Sequence, residues 1–330
     1  MSIKHHQENS LESSSKKRKY SSSLTDENLV NIELIDFNVN FPSHMLEKFK
    51  SKRKKAFSNE IDNVDNISGF KNPFDVKICH SLGCIIVSDH GNDRIQFFCL
   101  MSRNLMKSII MPATPVYIDV VENDTGVVGG NSLIISCCDG HVYKYSLFEM
   151  LNHQQPNELK HVWKSQLFDG PAGLQHYGNA IYFCDPYLKF SILSLSDGKV
   201  LEQMDFGFCV WNVQVINEFT LLLTNQDEKY LSILKKINET EWKSVKEIHF
   251  NDFFYALFDT ISYKIITVNT DCIKVMDMEG RLESVSDISN NSKNSELIQE
   301  SYVGGCTLNS YNGELYFADY CNNVLRIFRY

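Results

Sequence analysis

The sequence predicts an all-β fold, a six-bladed β-propeller of four-stranded antiparallel blades behind a basic N-terminal extension. Three observations predict it. The stretch IIVSDHGNDRIQFF over 85–98 returns near the C-terminus as LYFADYCNNVLRIF over 315–328. Each is an apolar strand, a polar turn led by Asp, and a second apolar strand. The residue closing the first of these strands recurs along the chain as Asp89, Asp139, Asp185, Asn225, Asn269 and Asp319, at separations of 50, 46, 40, 44 and 50. A mean period of 46 suits units of four short strands, the spelling of propeller blades. Finally, the chain runs out at Arg326–Tyr330 inside the third strand of the sixth copy. An open ring would expose sheet edges, so the missing fourth strand should come from the N-terminal side.

Taken in order, residues 1–27 are Ser- and Lys-rich with few apolar residues, which predicts a disordered tail. It carries the basic run Lys16, Lys17, Arg18 and Lys19; a second run holds Lys52, Arg53, Lys54 and Lys55. These are candidate nuclear-import signals, or a solvated charged flank. Residues 28–63 read as an extended strand with a kink (Val30 to Val39) followed by a short basic helix after Ser43. The Val30–Val39 run is the preferred closing strand and Ile61–Ile67 the weaker alternative. From 64 to 330 the repeats follow. The second copy is stretched by the Gly/Asn/Asp-rich loop at 121–131, and the fourth and fifth keep their alternation but lose the turn residues. The polar segment 284–301 reads as an insertion and a mobile loop.

Composition narrows the class. No apolar run approaches the roughly 20 residues of a membrane span, and the N-terminus lacks the apolar core of a secretory signal. The ten cysteines form no C-x-x-C pair or zinc-ligand spacing, so they read as reduced, mostly buried thiols in a reducing compartment. The expected location is cytoplasmic, with nuclear entry open through the basic runs. The first 64 residues hold 11 Lys+Arg against 9 Asp+Glu, which leaves the remainder at a net −11. That acidic body argues against wholesale phosphate-backbone binding, and no DNA-binding signature is present.

At Pro73, Asp89, Asn92, Arg94, Ile95 and Phe98 the first copy resembles the NHL repeat, whose core runs P-x-G-[IV]…[IV]YV[AS]D-x-x-N-x-R-I-x-x-F. The sixth copy resembles it at Leu315–Asp319, Asn322 and Phe328, with Val324 where the family has Arg; the third does so at Pro171, Gly173 and Ile181–Asp185. Phe74 stands where the family carries a small residue. The resemblance implies a six-bladed propeller in which the Asp, Asn and Arg are structural turn residues without a catalytic role. It implies three kinds of function: a protein-binding scaffold or adaptor, an RNA-binding propeller, or a calcium-dependent hydrolase or lyase. RING and B-box modules are absent from the sequence, so ubiquitin ligation is not expected in this chain.

The residues favour the first of these. A metal-dependent propeller needs acids, amides or imidazoles converging on the axis. The candidates on or beside first strands are Asp75, Asp119, His176, Asn212 and Asn309. His80 and His176 both fall where hairpin turns are expected, which reads as a repeated turn residue rather than a ligand pair. No Ser-His-Asp, H-E-x-x-H, P-loop or G-x-G-x-x-G pattern occurs. No cofactor or metal is expected, and the reading leans non-catalytic. Tyr117, Tyr187, Lys189, Trp211 and Tyr230 are the candidate binding-face residues for a protein partner or, by stacking, for RNA.

Overall fold

The structure is a computed structural model that describes residues 62–152, 159–184, 189–225, 228–238, 241–251, 254–269, 271–288 and 303–329. Its strands form six four-stranded antiparallel sheets. Blade 1 holds β2 (Pro73–Cys79), β3 (Cys84–Asp89), β4 (Arg94–Cys99) and β5 (Leu105–Ile110). Blade 2 holds β6 (Pro115–Glu122), β7 (Asn131–Cys137), β8 (Val142–Ser146) and the two-residue β9 (Trp163–Lys164). Blade 3 holds β10 (Leu174–Tyr177), β11 (Ala180–Cys184), β12 (Lys189–Ser194) and β13 (Val200–Asp205). Blade 4 holds β14 (Asn212–Asn217), β15 (Thr220–Asn225), β16 (Tyr230–Lys236) and β17 (Trp242–His249). Blade 5 holds β18 (Tyr255–Asp259), β19 (Lys264–Val268), β20 (Cys272–Met276) and β21 (Leu282–Asp287).

Blade 6 is assembled from both ends of the described chain. β22 (Val303–Asn309), β23 (Glu314–Asp319) and β24 (Val324–Arg329) are joined by β1 (Asp62–Ile67), which runs antiparallel to β24 with Asp62 opposite Arg329 and Ile67 opposite Leu325. The closing strand therefore does come from the N-terminal side, but it is Asp62–Ile67 and not the Val30–Val39 run. The latter lies outside the described residues, as do the expected basic helix and the two basic runs. The physical reason is visible in the other blades. An outermost strand is hydrogen-bonded on one side and wet on the other, so it needs little apolar content: β17 and β21 are mostly exposed. Second strands, buried on both faces, are the apolar ones, and β3, β7, β15 and β23 are buried along their whole length.

The first strand of every blade packs against the first strands of both neighbours, β2 on β6 and so on round to β22 on β2, which closes the ring. First strands begin, and second strands end, on one face of the disc, called here the entry face. The turn between second and third strands places a left-handed residue four positions after the closing Asp or Asn in three blades: Asp93 (φ 51°), Lys229 (φ 57°) and Asn323 (φ 58°). The turn geometry thus survives in blade 4 although its sequence signal has gone.

Three further details depart from expectation. Residues 284–287 belong to β21 rather than to a loop, and 289–302 lie outside the described residues. His176 sits within β10, because the hairpin after it is only Gly178-Asn179, whereas His80 is in a turn. A one-and-a-half-turn helix, α1 (Leu147–Asn152), follows β8 with Leu147 and Met150 buried, where no helix was expected. Among the described residues no helix is long and apolar enough to cross a membrane.

Candidate functional site

The inner strands carry the residues that suggested a metal ring, and each is engaged in joining blades or shaping turns. Asp75 Oδ2 accepts the Ile118 N–H of blade 2 at 3.0 Å, while Oδ1 accepts Val76 N at 2.8 Å and Lys77 Nζ at 2.7 Å. Burial pushes the Asp75 carboxyl up, against the opposing pull of Lys77 and these N–H groups. Asp119 Oδ2 reaches into blade 3, accepting His176 N and lying 2.7 Å from its Nδ1. Gln175 Oε1 accepts Val215 N of blade 4 at 2.5 Å, and Asn212 Nδ2 donates to Ala256 O of blade 5 at 3.0 Å. Asn309 Oδ1 accepts Tyr311 N at 3.1 Å and so shapes its own hairpin. At each joint from blade 1 to blade 5 an inner-strand side chain therefore helps tie neighbouring blades together. Where blade 6 meets blade 1, Gly304 and Gly305 pack against Phe74 and Asp75, and Asn323 Oδ1 accepts Asn72 N at 2.7 Å. Among the described residues no group of three or more His, Cys, Asp or Glu is placed to hold a metal ion.

The turn residues have their own geometry. Asp89 is fully buried and accepts four donors: Lys71 N (2.7 Å), Asn92 Nδ2 (2.9 Å), Arg94 Nε (2.6 Å) and Gln96 Nε2 (2.8 Å). Asp319 is bound by Asn322 through its N–H and amide, and by Arg326 Nη2 at 2.6 Å. Asp139 is exposed, accepting Tyr143 Oη at 2.6 Å and His141 N at 3.2 Å. Asn225 Oδ1 caps Glu228 N, and Asn269 Oδ1 caps Asp271 N and Cys272 N. Asp185 lies outside the described residues.

The candidate binding-face residues divide. Tyr117 is only 2% exposed and packs edge-on against Phe74 at 4.9 Å, and Tyr230 is buried between Phe208 and His249. Neither is free to stack on a ligand as it stands, because each fills a core position in its blade. Lys189 is exposed and Trp211 half-buried; Tyr187 lies outside the described residues. The Trp211 indole Nε1 is buried with no hydrogen-bond partner.

Around Trp211 the entry face holds a belt that residue-by-residue reading missed. Ring contacts run Phe190–Phe206 (5.4 Å), Phe206–Phe208 (6.0 Å, stacked), Phe208–Tyr230 (5.7 Å) and Tyr230–His249 (5.4 Å). Phe206 and Phe208 are half-exposed in the connection from blade 3 to blade 4. A shallow notch lined by Phe250, Phe254, Thr267, Asn269, Cys272 and Lys274 lies at the junction of blades 4 and 5, with the Lys274 ammonium 5.8 Å above the Phe250 ring. The signal that could have found the belt is FGFCVW over 206–211, three aromatics in a connection where Gly, Asn and Ser are the usual currency.

Comparison with known structures places this geometry. The chain is similar to the crystal structure of the Cps50 (Swd1) β-propeller domain of Myceliophteria thermophila, with a TM-score of 0.58 at 8% identity over 82% of this chain and 99% of that one. The likeness shows the fold. A computationally designed protein, Ika8, is matched with a TM-score of 0.46 at 10% identity over 78% of this chain and 71% of that one. No protein-family model matches the chain, and no curated protein matches it. The NHL resemblance therefore rests on the residues quoted for it.

Proposed function

We propose that this propeller is a non-catalytic protein-binding scaffold that recruits its partner on the entry face, over the aromatic belt of blades 3 and 4. The observation that carries this reading is the half-exposed run of Phe206, Phe208 and Trp211. Aromatic side chains supply large contact area at low entropic cost, and Trp and Tyr dominate interface energetics. The inner-strand acids and amides support the same reading, since Asp75, Asp119 and Asn212 are committed to holding blades together.

The test is affinity purification of the full chain against a Phe206→Ser/Phe208→Ser variant, with Leu105→Ser on the outer edge of blade 1 as the control. The expected result is a partner set lost by the double variant, kept by the control and insensitive to nuclease. Retention of the whole set by the double variant would sink the assignment of the face. A set that disappears with nuclease would favour RNA.

A further inference from the structure

We propose that Cys99 and Cys84 form a peroxide-responsive thiol pair that closes to a reversible disulfide across strands β3 and β4. Three cysteines of blade 1 stand in lateral register: Cys79 opposite Cys84 across β2 and β3, and Cys84 opposite Cys99 across β3 and β4. Opposed residues point to the same side of the sheet. The hydrogen bonding around Cys99 decides which kind of pair it makes. Its N–H donates to Asn104 O at 2.9 Å and its C=O accepts Arg103 N at 2.7 Å, both towards β5, while the flanking Leu100 N donates to Gly83 O at 2.8 Å. Cys84 and Cys99 are therefore a non-hydrogen-bonded antiparallel pair, the closer kind, with Cα atoms about 4.5 Å apart. That separation falls inside the roughly 4.4–6.8 Å range of disulfides.

Access and chemistry differ between the two sulfurs. Cys84 is fully buried, whereas Cys99 is half-exposed at the last position of β4, next to the surface residue Met101. Burial raises the Cys99 thiol, but the Ser102 side chain and N–H and the Met101 N–H outweigh it and leave its pKa lowered. Cys138 and Cys321 are more exposed; burial and the nearby Asp93 and Asp139 raise the Cys138 thiol. A lowered, accessible thiol beside a second thiol is the arrangement of a reactive and resolving pair.

The chemistry balances with hydrogen peroxide as the oxidant. The Cys99 thiolate attacks one peroxide oxygen; an S–O bond forms, the O–O bond breaks, and hydroxide leaves. The Cys84 sulfur then attacks the sulfenic sulfur, its proton passing to the departing oxygen, so that an S–S bond forms and water is released. Two thiols are oxidised by two electrons and one peroxide is reduced to two waters. Cys79, fully buried, is not reached first.

The test is peptide mapping by mass spectrometry of the reduced full chain after exposure to hydrogen peroxide, with dimedone present in a parallel sample. The expected result is a Cys84–Cys99 linked peptide as the main disulfide of the wild type, lost on treatment with dithiothreitol. In Cys84→Ser the expected product is a dimedone adduct on Cys99, several-fold above those on Cys138 and Cys321. A dominant Cys79–Cys84 link, labelling of Cys138 or Cys321 ahead of Cys99, or no intramolecular link in the wild type would overturn the proposal. The wild-type sample decides by itself if the variant does not fold.

Discussion

Arg326 places its Nη2 2.6 Å from Asp319 Oδ2 at the strand position where blade 1 carries Gln96, two residues beyond the one that carries Arg94. Val324 occupies the Arg94 position. The two blades thus neutralise the same buried carboxylate from different steps of the third strand. Arg326→Leu leaves Asp319 buried with Asn322 as its partner among the described residues, and breaking such a pair costs about 3 kcal/mol. For a domain of this size that is roughly 6–12 °C in Tm, measurable by calorimetry. The double variant Arg326→Gln/Val324→Arg copies blade 1 and should return to within about 1 kcal/mol of the wild type. Failure of that rescue would mean the two arrangements are not equivalent.

The Asp119–His176 contact gives a pH-dependent prediction. Burial alone would lower the His176 pKa, but Asp119 at 2.7 Å, with Asp124 and Glu122 beyond, leaves it raised above 6.5. A raised histidine binds its proton more tightly when folded. The contact therefore stabilises fully below the unfolded value and is lost as pH rises through the folded one. Asp119→Asn should lower Tm more at about pH 6 than at about pH 8.5. An equal loss at both would show that the imidazole stays neutral throughout.

Gly304 and Gly83 should respond oppositely in size to the same substitution. A Cβ at Gly304 would lie 1.9 Å from Phe74 O and 2.7 Å from Phe74 C, backbone that cannot swing aside. Gly83 has φ +59° and open space around it. Gly83→Ala then pays only left-handed strain of about 1–2 kcal/mol. Gly304→Ala should cost about 4 kcal/mol or more, or prevent ring closure outright. Denaturant titration of both variants measures the difference, and a mild Gly304→Ala would contradict the close approach of blades 6 and 1.

Truncation tests the closing strand. A chain starting at Asp62 keeps β1 and should unfold cooperatively, whereas one starting at Ser68 leaves the β24 edge unpaired. An exposed edge lowers stability and invites edge-to-edge association. Comparing the two by thermal melt and light scattering gives the answer, with indistinguishable behaviour counting against β1.

How much of this was legible in the sequence follows from where the signal resides. The period was readable because second strands are buried on both faces and turns need Asp or Asn, so Asp89 and Asp319 announce themselves. Asp62–Ile67 carries little apolar signal, because an outer strand has little use for one. Arg326 escaped because its function belongs to a distance in space, and a motif fixed on the Arg94 position sees only Val324. Inter-blade partners such as Asp119 and His176 lie 57 residues apart and share no pattern. The aromatic belt draws on Phe190, Phe206, Phe208, Tyr230 and His249 from two blades, and no single window of the chain contains it.

Pairing the earliest described strand with the latest has a consequence for biosynthesis. Arg329 leaves the ribosome 267 residues after Asp62, its partner across the seam. At roughly 5–20 residues per second that interval is on the order of 10–50 s, during which nascent sheets stand with an unfilled gap between first and last. The gap stays open for tens of seconds and is then filled by a strand of six residues.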